Sequence, residues 1–121
     1  MGIISSTMSY YFAKTLRDNI QSNRLAKVKE QCTADNVRDR SPEDGSSAMH
    51  WAAGFNKSAE MPEYLASIGG EVLAPDNNGR TPLHLAINHN NTFMVTWLIA
   101  NGGYNEIQNK QGATALDCAT R

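Results

Sequence analysis

Few residues in this chain have the types and spacing that could do chemistry. There are three histidines, two cysteines and one acid-and-amide turn, Asp76-Asn77-Asn78-Gly79. His50 and His84 lie in similar surroundings, His50-Trp51-Ala52 and His84-Leu85-Ala86, which invites a metal or catalytic reading. A shared zinc needs ligand bonds of ~2 Å, whereas two packed helices lie ~8–10 Å apart, so histidines at equivalent places on neighbouring helices do not share one. The Asp76 turn has the glycine of a calcium loop but lacks its spaced acids and terminal glutamate. No nucleophile–base pair, glycine-rich phosphate loop or Cys-x-x-Cys cluster stands in the sequence. Cys118, beside Asp117, has Arg121 as its one nearby cation, so its default reading is a buried thiol. The sequence therefore points to a non-catalytic protein with no metal and no cofactor. One modification signal remains. Met1-Gly2-Ile3-Ile4-Ser5-Ser6 fits the N-myristoylation pattern, with Gly2 as the lipidation site; the plain alternative is a frayed terminus.

The elements that carry the histidines explain them better. Asp76-Asn77-Asn78-Gly79-Arg80-Thr81-Pro82-Leu83-His84-Leu85-Ala86 reads as a tight turn feeding a helix. Asn and Gly accept a positive φ. Thr81 offers a hydroxyl to the first helical amides, and Pro82 suits the first helical position. The pattern recurs as Asp44-Gly45-Ser46-Ser47-Ala48-Met49-His50-Trp51-Ala52 and as Gln111-Gly112-Ala113-Thr114-Ala115-Leu116-Asp117-Cys118-Ala119. Gly45, Gly79 and Gly112 lie 34 and then 33 residues apart, and Ser47/Thr81/Thr114, Met49/Leu83/Leu116 and Ala52/Ala86/Ala119 keep that spacing.

On those residues the chain resembles the ankyrin-repeat family, whose ~33-residue repeats open with T-P-L-H-x-A. The resemblance covers roughly residues 16–121. It implies an all-α solenoid of helix-turn-helix repeats with β-turn fingers. Residues 1–10 form a tail, about 11–41 an N-terminal capping repeat, about 42–75 and 76–108 two full repeats, and 109–121 a truncated last one. It also implies that His50 and His84 hydrogen-bond to the cap and the adjacent turn, with Asp117 in the same place in the last repeat. Partners of such arrays usually bind the concave face made by fingers and inner-helix ends. By position that face takes in Asp44, Ser46, Asn77, Asn78, Arg80, Lys110 and Gln111, joined at the helix ends by Phe55, Asn88 and His89. The implied partner is another protein, bound by an adaptor, scaffold or complex subunit. Two rivals are a Gly2-acylated adaptor tethered to a membrane and an ankyrin piece of a larger enzyme or channel.

Composition agrees with one modest domain. The net charge of −1 argues against general nucleic-acid affinity, although residues 1–40 carry a net +3 and residues 41–121 a net −4. No apolar run reaches the ~18 residues of a membrane span. The start lacks a signal peptide, and the two cysteines lie near opposite ends of the stack, so a reducing cytoplasmic setting is expected. Membrane association then depends on Gly2.

Position by position, Met8, Phe12, Leu16 and Ile20, with Tyr11 beside them, mark the inner helix of the cap. Leu25, Val28 and Cys32 mark its outer helix, and Val37 is the apolar anchor of the long loop that follows. Met49, Ala52 and Ala53 face the core, and Trp51 is mostly core; Phe55 is either a binding residue or a packing one. The next outer helix starts near Ala59–Met61, keeps Pro62 in its first turn, and buries Tyr64, Leu65 and Ile68. In the second full repeat Leu83, Leu85, Ala86 and Ile87 form the inner helix, and Val95, Trp97, Leu98 and Ile99 face inward. Phe93 is expected to be exposed. Asn56 and Asn90 take the place of a left-handed glycine between helices, and Gly69-Gly70 and Gly102-Gly103 end the outer helices. Leu116 and its neighbours are left uncovered, to pack on a partner or on further chain.

Overall fold

A computed structural model describes residues 9–103, in which six helices follow one another. They are α1 (Tyr10–Gln21), α2 (Leu25–Gln31), α3 (Ala48–Phe55), α4 (Glu60–Ser67), α5 (Pro82–Asn88) and α6 (Thr92–Ala100). Gly2, Met8, Lys110, Gln111, Leu116, Asp117 and Cys118 lie outside the described residues. The stack is a two-layer solenoid. Inner helix α1 packs on α3 and α3 on α5, while α2, α4 and α6 each pack on the inner helix before them.

Local chemistry sets the helix ends. Ser9 Oγ accepts the Phe12 N–H at 3.2 Å and so caps α1. Pro82 opens α5, where its missing N–H costs nothing. Pro62 is the third residue of α4, still inside the first turn, and it is buried. Four helices close by one device, a left-handed residue after the cap whose successor bonds back into the last turn. Gly69 (φ +105°) and Gly102 (φ +84°) serve the outer helices, with Gly70 N–H on Leu65 O and Gly103 N–H on Leu98 O. Asn23 (φ +57°) and Asn90 (φ +55°) serve α1 and α5.

Asn56 departs from that expectation. It sits at φ −74°, ψ 139°, an extended residue buried in the stack, because one more residue separates α3 from α4 than separates α5 from α6. Its Nδ2 donates to Ile20 O at 2.9 Å. Asn91 does the same one repeat later, its Nδ2 donating to Ala53 O at 3.0 Å and Asn56 O at 2.9 Å. Buried amides thus tie each loop to the repeat before it.

The core runs through Leu16, Ile20, Val28, Met49, Met61, Leu65, Leu83, Met94 and Leu98. Val37 is buried, as its lone apolar place in the loop predicts. Three faces differ from the sequence reading. Tyr11 is exposed, because α1 turns Ala13 inward in its stead. Ile99 is 53% exposed, and Met94, not singled out by pattern, is buried. Phe93 is partly buried against the core, since nearly every position of α6 is apolar and the pattern alone does not orient it.

The fingers join to one another. Asn77 N–H donates to Asp44 O at 2.9 Å, and Arg40 Nη1 reaches both Gly45 O and Pro75 O. Gly45 (φ +74°) is doubly required, since a Cβ there would stand 2.3 Å from Asn77 Oδ1.

Candidate functional site

The repeat spacing builds a cleft across the three inner helices. Arg17, Trp51 and Leu85 follow one another at the repeat interval, and so do Gln21, Phe55 and His89. Stacking α1, α3 and α5 turns these two series into two rows, and both rows line one cleft of about 250 Å³. Asp44, Ser46 and Arg80 reach it from the fingers, and His50 reaches it from below.

Aromatic surface marks the helix-end side. Phe55 is 47% exposed, and its ring centroid lies 5.4 Å from that of His89 at a 54° tilt. The Phe55 side chain is thus half exposed and at the same time rests against His89, at the end of the next inner helix. It also walls a second cleft of about 280 Å³ that includes Asn23 and Lys57. His89 is held in place by its Nδ1–H, which donates to Leu85 O at 2.9 Å. Trp51 is buried and forms the floor.

The finger side is polar and rigid. The Asp76 carboxylate accepts from Asn78 N–H (2.8 Å), Arg80 N–H (2.9 Å) and Arg80 Nε–H (3.1 Å). The last contact is an ion pair that holds the partly exposed Arg80 guanidinium by its Nε against the buried Asp76 carboxylate. Arg17 pairs with Glu43 at 3.4 Å. Asp44 Oδ1 accepts the Ser46 N–H at 3.0 Å.

The histidines are structural in both described full repeats. His50 Nδ1 accepts the Ser47 N–H at 3.1 Å and sits 2.8 Å from Ser47 Oγ. Its Nε2 is 2.8 Å from Arg80 O. A carbonyl can only accept, so Nε2 carries the proton and the ring is neutral. Burial pushes His50 below its ordinary pKa, against a smaller upward pull from the Arg80 carbonyl. His84 Nδ1 repeats the contacts with Thr81 N–H at 3.1 Å and Oγ1 at 2.9 Å. Among the described residues no group of three or more His, Cys, Asp or Glu is placed to hold a metal. Burial, with Asp39 nearby, pushes the Cys32 thiol up to about 11, well outside the range of a reactive thiolate.

The sequence-predicted surface residues divide accordingly. Asp44, Phe55, Arg80 and His89 meet in one cleft. Ser46 is a correction: at 4% exposure it belongs to the cleft floor and does not present a side chain, because the finger turn folds over it. Asn77 and Asn78 are exposed at the finger tip and Asn88 at the end of α5, all outside the cleft lining. Arg17 and Gln21 were not expected. The signal was available, since each lies one repeat interval before a cleft residue of the next repeat, but no finger motif precedes α1 to reveal that register.

Comparison with known proteins agrees with this architecture. Residues 50–121 match the family model for ankyrin repeats (3 copies). The chain is similar to Rabankyrin-5 of Mus musculus, 25% identical over 115 residues, which is 88% of this chain and 10% of that protein. Rabankyrin-5 of Homo sapiens is 31% identical over 77 residues, 63% of this chain and 6% of that protein. The RelA-associated inhibitor of Mus musculus is 31% identical over 87 residues, 72% of this chain and 10% of its own length. The chain thus spans a tenth or less of these relatives.

Proposed function

This chain belongs to the ankyrin-repeat family, and from that premise we propose that it is a non-catalytic adaptor or scaffold module that seats a partner protein in the cleft across α1, α3 and α5. Ankyrin repeats are in general protein-interaction modules, and the relatives are ankyrin-repeat proteins. The observation that carries the proposal is Phe55. An aromatic ring half exposed on a concave wall, beside an anchored His89 and a fixed Arg80, has the composition of an interface hot spot.

The test is an affinity pull-down from the native host with mass spectrometry, repeated with Phe55→Ala as bait. Loss of the same partner from the variant bait supports the cleft; unchanged capture rules it out. The finger-tip residues Asn77 and Asn78, the helix-end Asn88, and Lys110 and Gln111 extend the proposed surface.

A second reading rests on the amino-terminal pattern. With Gly2 acylated, the module becomes a membrane-tethered adaptor, although one myristoyl chain gives only marginal binding and needs a second contact. The basic bias of residues 1–40 supports that contact. Among the described residues no helix is long and apolar enough to cross a membrane. Co-expression with a myristoyltransferase should add one acyl mass that Gly2→Ala abolishes; no added mass, with a control substrate fully labelled, removes this reading.

A further inference from the structure

The arginines that line the cleft are matched within the chain, so charge does not select the occupant. Arg80 pairs with Asp76 at 3.1 Å and Arg17 with Glu43 at 3.4 Å, while Asp44 Oδ1 accepts the Ser46 N–H. The lining also offers apolar surface, from Trp51, Leu85 and Phe55, and beside it the imidazole of His89.

That imidazole is held in one orientation. Its Nδ1–H donates to Leu85 O at 2.9 Å, and since a carbonyl can only accept, the proton sits on Nδ1. In the neutral ring Nε2 is then a bare acceptor. The two ring nitrogens point apart, so Nε2 is turned away from the carbonyl that anchors the ring. The ring also lies broadside on Gly54, where a Cβ would stand 3.7 Å from Cε1 and Nδ1 and 3.8 Å from Cδ2. Phe55 leans on it at 5.4 Å between centroids. Among the described residues Nε2 has no hydrogen-bond partner.

We infer that the cleft seats a tryptophan or tyrosine side chain of the partner protein, its ring against Phe55 and its indole N–H or phenol O–H donated to His89 Nε2. This deepens the cleft-binding reading and rests on it. A volume of about 250 Å³ falls below the ~300–1,000 Å³ of pockets that enclose a drug-sized ligand, so it suits one large side chain. A leucine or phenylalanine there would cover Nε2 and leave it unpaired, which costs free energy. A lysine could donate to Nε2, but an ammonium costs far more to desolvate than a neutral N–H or O–H. Tryptophan and tyrosine join an apolar body to one neutral donor at the edge.

The experiment uses the chain, uniformly labelled for NMR, and short peptides that differ in one side chain. They are acetyl-Gly-Trp-Gly-amide, the same peptide methylated on the indole nitrogen, and its Phe and Lys counterparts. In the free chain, long-range proton–nitrogen spectra should find the His89 proton on Nδ1. The Trp peptide should shift Phe55, His89 and Trp51 together and saturate in the ~1–10 mM range expected of one side chain. Methylating the indole nitrogen should weaken it about threefold to tenfold, the worth of one hydrogen bond. The Phe and Lys peptides should be weaker than the Trp peptide. His89→Gln, which keeps an acceptor, should preserve the preference for the unmethylated indole, and His89→Phe, which keeps a ring, should abolish it. The methylated peptide needs no substitution, so it carries the decision if either variant is unstable.

Equal binding of the Trp peptide and its methylated form at Phe55 and His89 overturns the donor requirement and leaves the cleft as a binding site. A His89 proton found on Nε2 overturns it too, as does tighter binding of the Lys peptide or the absence of any shift at Phe55 and His89 with the Trp peptide. A pulled-down partner whose capture survives Phe55→Ala overturns the cleft itself.

Discussion

His50 Nε2 donates its proton to the carbonyl oxygen of Arg80, in the finger of the next repeat, at 2.8 Å. One imidazole therefore connects the start of its own helix, through Ser47, to the repeat that follows. Both ring nitrogens are committed, and only the neutral tautomer satisfies both partners.

That arrangement sets a pH dependence. Burial lowers the His50 pKa in the folded chain below its ordinary 6.5. A lowered folded value means that the unfolded chain binds the proton first, so stability rises with pH through this window. The contribution is fully present above 6.5 and is lost as pH falls through the lower folded value. Urea midpoints should drop between pH 7.5 and 5, and His50→Gln should show a shallower slope over that range. A midpoint that climbs on acidification, or an unchanged slope in the variant, contradicts the assignment.

Glycine requirements separate into two strengths. Gly79 holds φ +77°, so Gly79→Ala should destabilise by about 1 kcal/mol or more. Gly45→Ala should cost more, because its Cβ also collides with Asn77 Oδ1. Adding Asn77→Ala to Gly45→Ala should recover the steric part but not the backbone part. Exposed Lys57→Ala serves as the control and should change stability by less than about 0.5 kcal/mol.

Asn91 is fully buried and supplies Nδ2–H to two carbonyls of the preceding repeat. Asn91→Ala strands both carbonyls and removes the Oδ1 that accepts from Met94 N–H at 3.4 Å. The expected loss is about 2–4 kcal/mol, since each unsatisfied buried group costs ~1–3 kcal/mol. Chemical denaturation measures it directly. A cost near that of Lys57→Ala would show that water replaces the amide without penalty.

Phe55→Ala should separate binding from folding. Half its surface is already in water, so the urea midpoint should move little. Affinity for a captured partner should fall by about 1–3 kcal/mol, as for an aromatic anchor. Glu63→Ala, on the exposed side of outer helix α4, should leave affinity unchanged. Equal losses from Phe55→Ala and Glu63→Ala would indicate a surface other than the cleft.

The amino-acid sequence by itself determined the repeat. The spacing of Gly45 and Gly79, of Ser47 and Thr81, and of His50 and His84 needs no contacts to be seen, because turn geometry and capping are local chemistry. The helix-terminating glycines Gly69 and Gly102 were legible for the same reason. Asn90 was too, but Asn56 was not. Both asparagines occupy one place in the repeat; a single extra loop residue then lets Asn56 turn inward and bond to Ile20 O. Local propensity allows both conformations, and only the neighbouring repeat chooses between them. Phe93, Met94 and Ile99 share the same difficulty: on an almost wholly apolar helix, hydrophobicity carries no direction, and packing assigns the inward face. The cleft is the clearest case. Phe55 and His89 are a full repeat apart in the chain and 5.4 Å apart by ring centroid, and Arg17 joins them from a helix with no finger motif to announce it. Stacking converts a spacing along the chain into a row across the surface, and that conversion is a property of the packed helices alone.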